Sequence, residues 1–196
     1  IMGCNEETGS KCMAHYNEVE EELSCGFTPD ANFPCIHGEK GHMSMMAYSK
    51  HTKILSMNGG FVTNAVCDSC TTVKPGEAGL REKREKGVTF ECLEKAGFED
   101  DFVTFYNTHL GTACDGSGIG LKVSDAYGDL TLCNGIVKTR DGVISCTIDI
   151  RVPVTLKPDE VRKLCEDKLE DENGRIEILD IGDGLFFPRE SPLVEA

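Results

Sequence analysis

Three carboxylates near the start of the chain have the spacing that metal-assisted proton chemistry needs. Glu6 and Glu7 share a glycine-flanked turn, Gly3-Cys4-Asn5-Glu6-Glu7-Thr8-Gly9, and Asp30 follows in Thr28-Pro29-Asp30-Ala31-Asn32-Phe33-Pro34. Adjacent side chains at an extended strand end point to opposite sides. One glutamate is therefore free to grip a metal while its neighbour handles a proton, and Asp30 can return to the same metal from the next strand end. Hard divalent ions and Zn²⁺ accept carboxylate oxygens, and a free carboxylate beside a metal-bound water is a natural general base. In a chain with 34 Asp and Glu, the competing reading of such a pair is solvated surface.

Two further residues suit the holding of a substrate. Asn64, in Gly59-Gly60-Phe61-Val62-Thr63-Asn64-Ala65-Val66, offers amide donors and an acceptor; its alternative is a turn Asn beside two glycines. Arg151 closes the alternating run Ile144-Ser145-Cys146-Thr147-Ile148-Asp149-Ile150-Arg151, just before Val152-Pro153. Its guanidinium fork matches a carboxylate, and its alternative is a surface cation on an antiparallel strand. Other features fall to simpler readings. Cys67-Asp68-Ser69-Cys70 lacks the second matching pair that a zinc ribbon requires and is read as coincidental. Gly116-Ser117-Gly118-Ile119-Gly120 lacks the Lys and Ser or Thr of a phosphate loop and is read as a turn system. His109 is read as a helix-end or surface residue.

The elements that must position these residues follow from periodicity. A helix is expected from Thr8 or Ser10 to about Leu23, with Met13, Tyr16, Val19 and Leu23 on one stripe. His42 to Ser49 reads as a strand with its methionines in the core. Helices are expected over 87–97 and from about Asp100 to Leu110, the second burying Phe102, Val103, Phe105, Tyr106 and Leu110. Strands over 129–138 and 143–152 form a hairpin through Arg140-Asp141-Gly142, the second with one packed and one open face. A helix opens at Pro158, with Asp159 and Glu160 in its first turn, and runs to about Leu169; a last strand covers 175–181. The fold class is α+β, an antiparallel sheet with helices on one face.

Composition bounds the function. The 196 residues carry a net charge of -14, which argues against a nucleic-acid surface. No run of about 18 apolar residues indicates a membrane span. The eleven cysteines, an odd number without framework spacing, suit reduced thiols and a cytoplasmic location.

Several of these stretches resemble one family. GCNEETGSKCMAHY, GFTPDANFP and HGEKG look like the middle of the catalytic domain of PepV-type dipeptidases, in the two-zinc family that also holds aminoacylases, carnosinases and glutamate-releasing carboxypeptidases. The GG-x-x-x-N-x-V segment, LTLCNG and IDIRVP are similar to parts of its inserted lid domain, although Cys67 replaces the family's proline and the lid's substrate-reaching His segment has no counterpart. The resemblance implies a general base at Glu6, zinc ligands at Glu7 and Asp30, and substrate contacts from Asn64 and Arg151. It also implies a partial α/β catalytic domain over residues 1–53, a ferredoxin-like and shortened lid over 54–181, and a return segment over 182–196. The implied reaction is zinc-dependent hydrolysis of dipeptides or N-acyl amino acids, with self-association through the lid left open. With Ile1 at its start and the family's other zinc ligands outside it, the chain is expected to be a fragment, inactive alone. Two other classes compete: a non-catalytic interaction module, and a regulatory amino-acid-binding domain using Arg151.

Overall fold

The computed structural model describes residues 11–24, 26, 36–67, 69–75, 80–82, 99–110, 114–171 and 174–195. Glu6, Glu7, Asp30, the turn at 27–34 and the helix expected over 87–97 lie outside the described residues. The chain forms two compact units, Ile1–Ile36 with Pro188–Ala196, and His37–Phe187.

The smaller unit contains helix α1, Lys11–Val19, none of whose residues is buried. The helix stops four residues short of the expected Leu23. Glu18, Glu20, Glu21 and Glu22 crowd the end where the helix dipole is negative, and no basic residue stands in its last turn.

In the larger unit, β1 (Gly38–Glu39) is followed by β2 (Gly41–Ser49), β3 (Ser56–Gly59), β4 (Cys70–Val73) and β5 (Leu80–Glu82). Helix α2 (Asp101–Phe105) continues as a π-helical turn, Tyr106–Leu110. After two short strands, β6 (Ser124–Asp125) and β7 (Gly128–Asp129), come β8 (Thr131–Arg140) and β9 (Val143–Val152). Helix α3 (Pro158–Leu169), β10 (Gly174–Gly182) and β11 (Leu185–Phe186) complete the unit, and helix α4 (Pro192–Glu195) belongs to the smaller one. The main sheet has seven strands in the order β10-β2-β9-β8-β3-β4-β5, every neighbour antiparallel. Strand β9 lies between β2 and β8, which are joined through α2, and β2 lies between β9 and β10, which are joined through α3. The result is two interleaved split crossovers, with β3 to β5 added beyond β8.

The expected hairpin is present. Arg140 pairs with Val143 across a two-residue loop, and Asp141 and Gly142 both have positive φ (51° and 77°), as a type I′ turn requires. The expected stripe of α2 is fully buried: Phe102, Val103, Phe105, Tyr106 and Leu110 pack with Met43, Met45 and Ala47 of β2, and with Ile144, Cys146, Ile148 and Ile150 of β9. Helix α3 packs on β2 and β10 through Val161, Cys165 and Leu169.

The larger compact unit starts at His37 and includes β2, which is hydrogen-bonded along β10 on one side and β9 on the other; the resemblance implies a domain boundary near residue 53. One expectation needs correction: the open face of β9 is less open than alternation implies. Thr147 and Asp149 are 9% and 7% exposed, because a strand flanked on both sides has its polar side chains covered by neighbours.

The glycine-rich loop is a turn system, as expected. A 3₁₀ turn, Ser117–Ile119, is bracketed by left-handed Gly116 and Gly120, with Ile119, Leu121 and Leu130 buried beneath it. Hydrogen bonds from Ser117, together with Lys122 at 3.3 Å, hold the Asp115 carboxyl down at about 2. Stabilisation from a depressed carboxyl is present above its ordinary range, about 4, and is lost as pH falls through the folded value. The Asp115 carboxyl carbon should therefore titrate by NMR near pH 2. A midpoint near 4 would show that the loop does not hold it.

Candidate functional site

The open face of the sheet carries a small grid of polar side chains at one end of its central strands. Register sets the rows. Gly182 of β10, His42 of β2, Arg151 of β9 and Thr131 of β8 lie opposite one another in turn. The adjacent row is Asp180, Ser44, Asp149 and Cys133. Each basic side chain of the first row reaches a carboxylate of the second. Arg151 donates from Nε and Nη2 to the two oxygens of Asp149, at 2.9 and 3.3 Å. His42 Nε2 lies 2.8 Å from Asp180 Oδ2.

Local sequence explains the first pair. Asp149 and Arg151 are two residues apart on a strand and so share a face. The Asp149 side chain is 9% exposed and the Arg151 side chain 44% exposed. A carboxylate that deep is tolerated only when paired and hydrogen-bonded, and Arg151 supplies both while keeping its far edge in solvent. A guanidinium has five N–H donors. Asp149 uses two of them, and the remaining Nη1 and Nη2 donors form a fork of the kind that takes a carboxylate end-on.

The second pair depends on tertiary register. The bulge in β10 between Ile178 and Asp180 brings Asp180 opposite Ser44, and the His42 ring lies over Gly182, where a Cβ would come within 2.9 Å of Nδ1. The hydrogen bond from His42 is the main cause that lowers the Asp180 carboxyl below its usual range. Next to Asp149, the Cys133 thiol is pushed up to about 11, chiefly by burial and then by Cys114 and Asp149, so it stays protonated.

Asn64 is placed differently. It is exposed in the turn after Gly60, in a loop laid over the bulge of β8 at Gly135. Among the described residues, no hydrogen bond or ion pair joins it to Arg151. Cys67 and Cys70 are both buried, with Sγ groups directed to the carbonyls of Ser69 and Thr71. His109 is partly buried against Phe105 and lies 3.6 Å from Asp171. Glu6, Glu7 and Asp30 lie outside the described residues, and among the described residues no group of three or more His, Cys, Asp or Glu could hold a metal ion. No described helix is long and apolar enough to cross a membrane.

Sequence reasoning missed Asp149, His42 and Asp180. The first had a signal, a carboxylate two residues from the candidate Arg on one strand. The other two had none.

Comparison with known proteins gives a short, sharp similarity. A stretch of 41 residues, 21% of this chain, is 56% identical to proteins of Staphylococcus aureus strains USA300 and NCTC 8325 that are each named "Putative dipeptidase". That stretch spans 9% of the length of these relatives. No family model matches the chain.

Proposed function

We propose that this chain is part of a metal-dependent dipeptidase, a hydrolase of the amide bond in dipeptides or related N-acyl amino acids, and that its larger unit is the substrate-holding lid. The observation that carries the reading is the unused donor fork of Arg151, oriented by a buried Asp149 at the end of β9. Such a fork suits the terminal carboxylate of a dipeptide. The interleaved split crossovers are those of a ferredoxin-like unit, the arrangement the resemblance implies for a lid. The similarity to proteins named as dipeptidases supports the class.

In this reading Glu6 is the general base, Glu7 and Asp30 are metal ligands, and Asn64 makes a further substrate contact. Zinc, when bound, would polarise the scissile carbonyl and acidify a water. The contribution of the described residues is to bind and orient: Arg151 fixes the carboxylate end so that the amide presents one face.

The test compares glycylglycine with its C-terminal amide. In a protein carrying this chain and a full ligand set, zinc-loaded, the free acid should be cleaved at least about 100-fold better than the amide, a charge-assisted pair being worth about 3 kcal/mol. Arg151→Met should erase that preference and Glu6→Gln should abolish turnover. Because Arg151→Met leaves Asp149 buried and unpaired, the Arg151→Met/Asp149→Asn pair is measured beside it. Equal cleavage of acid and amide by the unsubstituted protein would sink the assignment of Arg151.

A further inference from the structure

The other pair in the grid points to a second ligand-binding residue. His42 and Arg151 are directly opposed on antiparallel strands, so their side chains rise from one face about 5 Å apart. Both are anchored yet partly open: His42 is 38% and Arg151 44% exposed. Their anchors draw them apart. Asp180 and Gly182 hold the imidazole over β10, and Asp149 holds the guanidinium along β9. Half-buried Ser44 lies in register with both Asp180 and Asp149, on the strand between them.

The two residues are left with opposite hydrogen-bonding capacity. With the Asp180 carboxylate accepting, Nε2 carries the donated proton, and in that tautomer Nδ1 has a lone pair. No described group donates to that nitrogen. Arg151 has spare donors in its outer fork. A spare acceptor on the β10 side and spare donors on the β9 side complement one chemical unit lying between them: an amino-acid residue in amide linkage, whose carboxylate accepts and whose amide N–H donates from the same α-carbon.

We propose that His42 is a ligand-binding residue of this site, its Nδ1 accepting the amide N–H of the residue whose terminal carboxylate Arg151 holds. Asp180 is then a positioning residue that fixes the tautomer, and Gly182 provides the space in which the ring lies. The inference rests on the reading of Arg151 as a carboxylate anchor and adds a selectivity. The site takes N-acyl amino acids with a secondary amide and discriminates against those whose C-terminal nitrogen carries no hydrogen, such as an N-methylated or prolyl residue.

The test is a heteronuclear NMR titration of the full chain with glycylglycine and with glycylsarcosine, which lacks the N–H. The unsubstituted chain should bind glycylglycine about tenfold more tightly, the worth of one buried hydrogen bond. His42→Phe, which keeps a ring over Gly182, should bring glycylglycine to the level of glycylsarcosine. Asp180→Asn should reduce the preference, since an amide no longer fixes the tautomer. If His42→Phe keeps the tenfold preference, or the unsubstituted chain shows none, the role of His42 is overturned while that of Arg151 stands. If Arg151→Met/Asp149→Asn binds both ligands as the unsubstituted chain does, or the unsubstituted chain binds neither, the carboxylate-anchor reading fails and takes this one with it.

Discussion

Asp100→Ala should destabilise the larger unit by about 3–4 kcal/mol, one of the largest effects available from a single polar side chain. Asp100 is 3% exposed and stands at the N-cap of α2. Its Oδ1 accepts the backbone N–H groups of Phe102 and Val103 at 3.0 and 3.3 Å, two of the donors that a helix start leaves unpaired. Its Oδ2 accepts the Lys53 N–H at 2.7 Å and the Thr52 hydroxyl at 3.0 Å, just beyond the end of β2. One carboxylate thus ties the start of the helix to the exit of the strand against which it packs. Truncation removes a cap, worth about 1 kcal/mol, and leaves several poorly solvated donors without an acceptor, at about 1 kcal/mol or more each. For a unit of this size the thermal midpoint should fall by roughly 10 °C.

Asp100→Asn separates the two jobs. Asn caps helices about as well as Asp, so a pure cap would tolerate it. Here either orientation of the amide directs its NH₂ at N–H donors, of Lys53 or of the helix start. Asn should therefore cost about half as much as Ala. Thermal melts of both variants decide it: Asn equal to the unsubstituted chain would mean that the tether to residues 52–53 contributes nothing.

Much of the fold around that tether was legible from local sequence. Asp141-Gly142 between alternating runs announces a hairpin, because only residues tolerant of positive φ can turn two strands in two residues. Pro158 with Asp159 and Glu160, then Val161, Cys165 and Leu169 at helical spacing, announces α3, and its observed bounds agree. The α2 stripe was equally plain, since its apolar residues outnumber what a wet face accepts.

The remainder depends on contacts between residues far apart in the chain. His42 and Asp180 are 138 positions apart, and Lys53 and Asp100 are 47; nothing in the intervening sequence couples them. Asp149 was legible as a strand residue but not as a buried one, because alternation shows which face a side chain occupies and not what covers that face. The carboxylates Glu6, Glu7 and Asp30 became candidates through spacing and took roles through resemblance alone. For Arg151 the two kinds of argument meet. The fork and the strand end were read from the residues and the topology from the resemblance, while its orienting partner came from the structure.

Gly135→Ala should release the loop that carries Asn64. Gly135 is the bulge residue of β8, where register shifts between Asn134 and Ile136. A Cβ there would be driven into the carbonyl oxygens of Val62 and Thr63, and would stand 2.6 Å from the Thr63 carbonyl carbon. Those are backbone atoms, which cannot swing aside as the end of a side chain can. From the other side, Gly60, at φ 78°, leaves no room for a Cβ against the Gly135 carbonyl. The crossing therefore requires glycine on both chains, and one added methyl must either shift β8 or lift the loop. Strand β8 is held along its length by β9. The loop is held at this end by the Cys67 N–H to Asn134 carbonyl bond, at 3.1 Å, so the loop should yield. Overpacking of this kind costs about 1–3 kcal/mol overall, but the local effect should be larger than the global one. Cys67 is 1% exposed at the foot of the loop, whereas Cys146 on β9 and Cys165 on α3 are buried in the core. Alkylation mapped by mass spectrometry should show Cys67 reacting at least about tenfold faster in the variant, with Cys146 and Cys165 still protected. Protection of Cys67 unchanged at an unchanged melting temperature would mean that the loop does not depend on this crossing. If Asn64 contacts substrate, the same variant should weaken dipeptide binding while the Arg151–Asp149 pair stays intact, because the loop and the strand end are anchored separately.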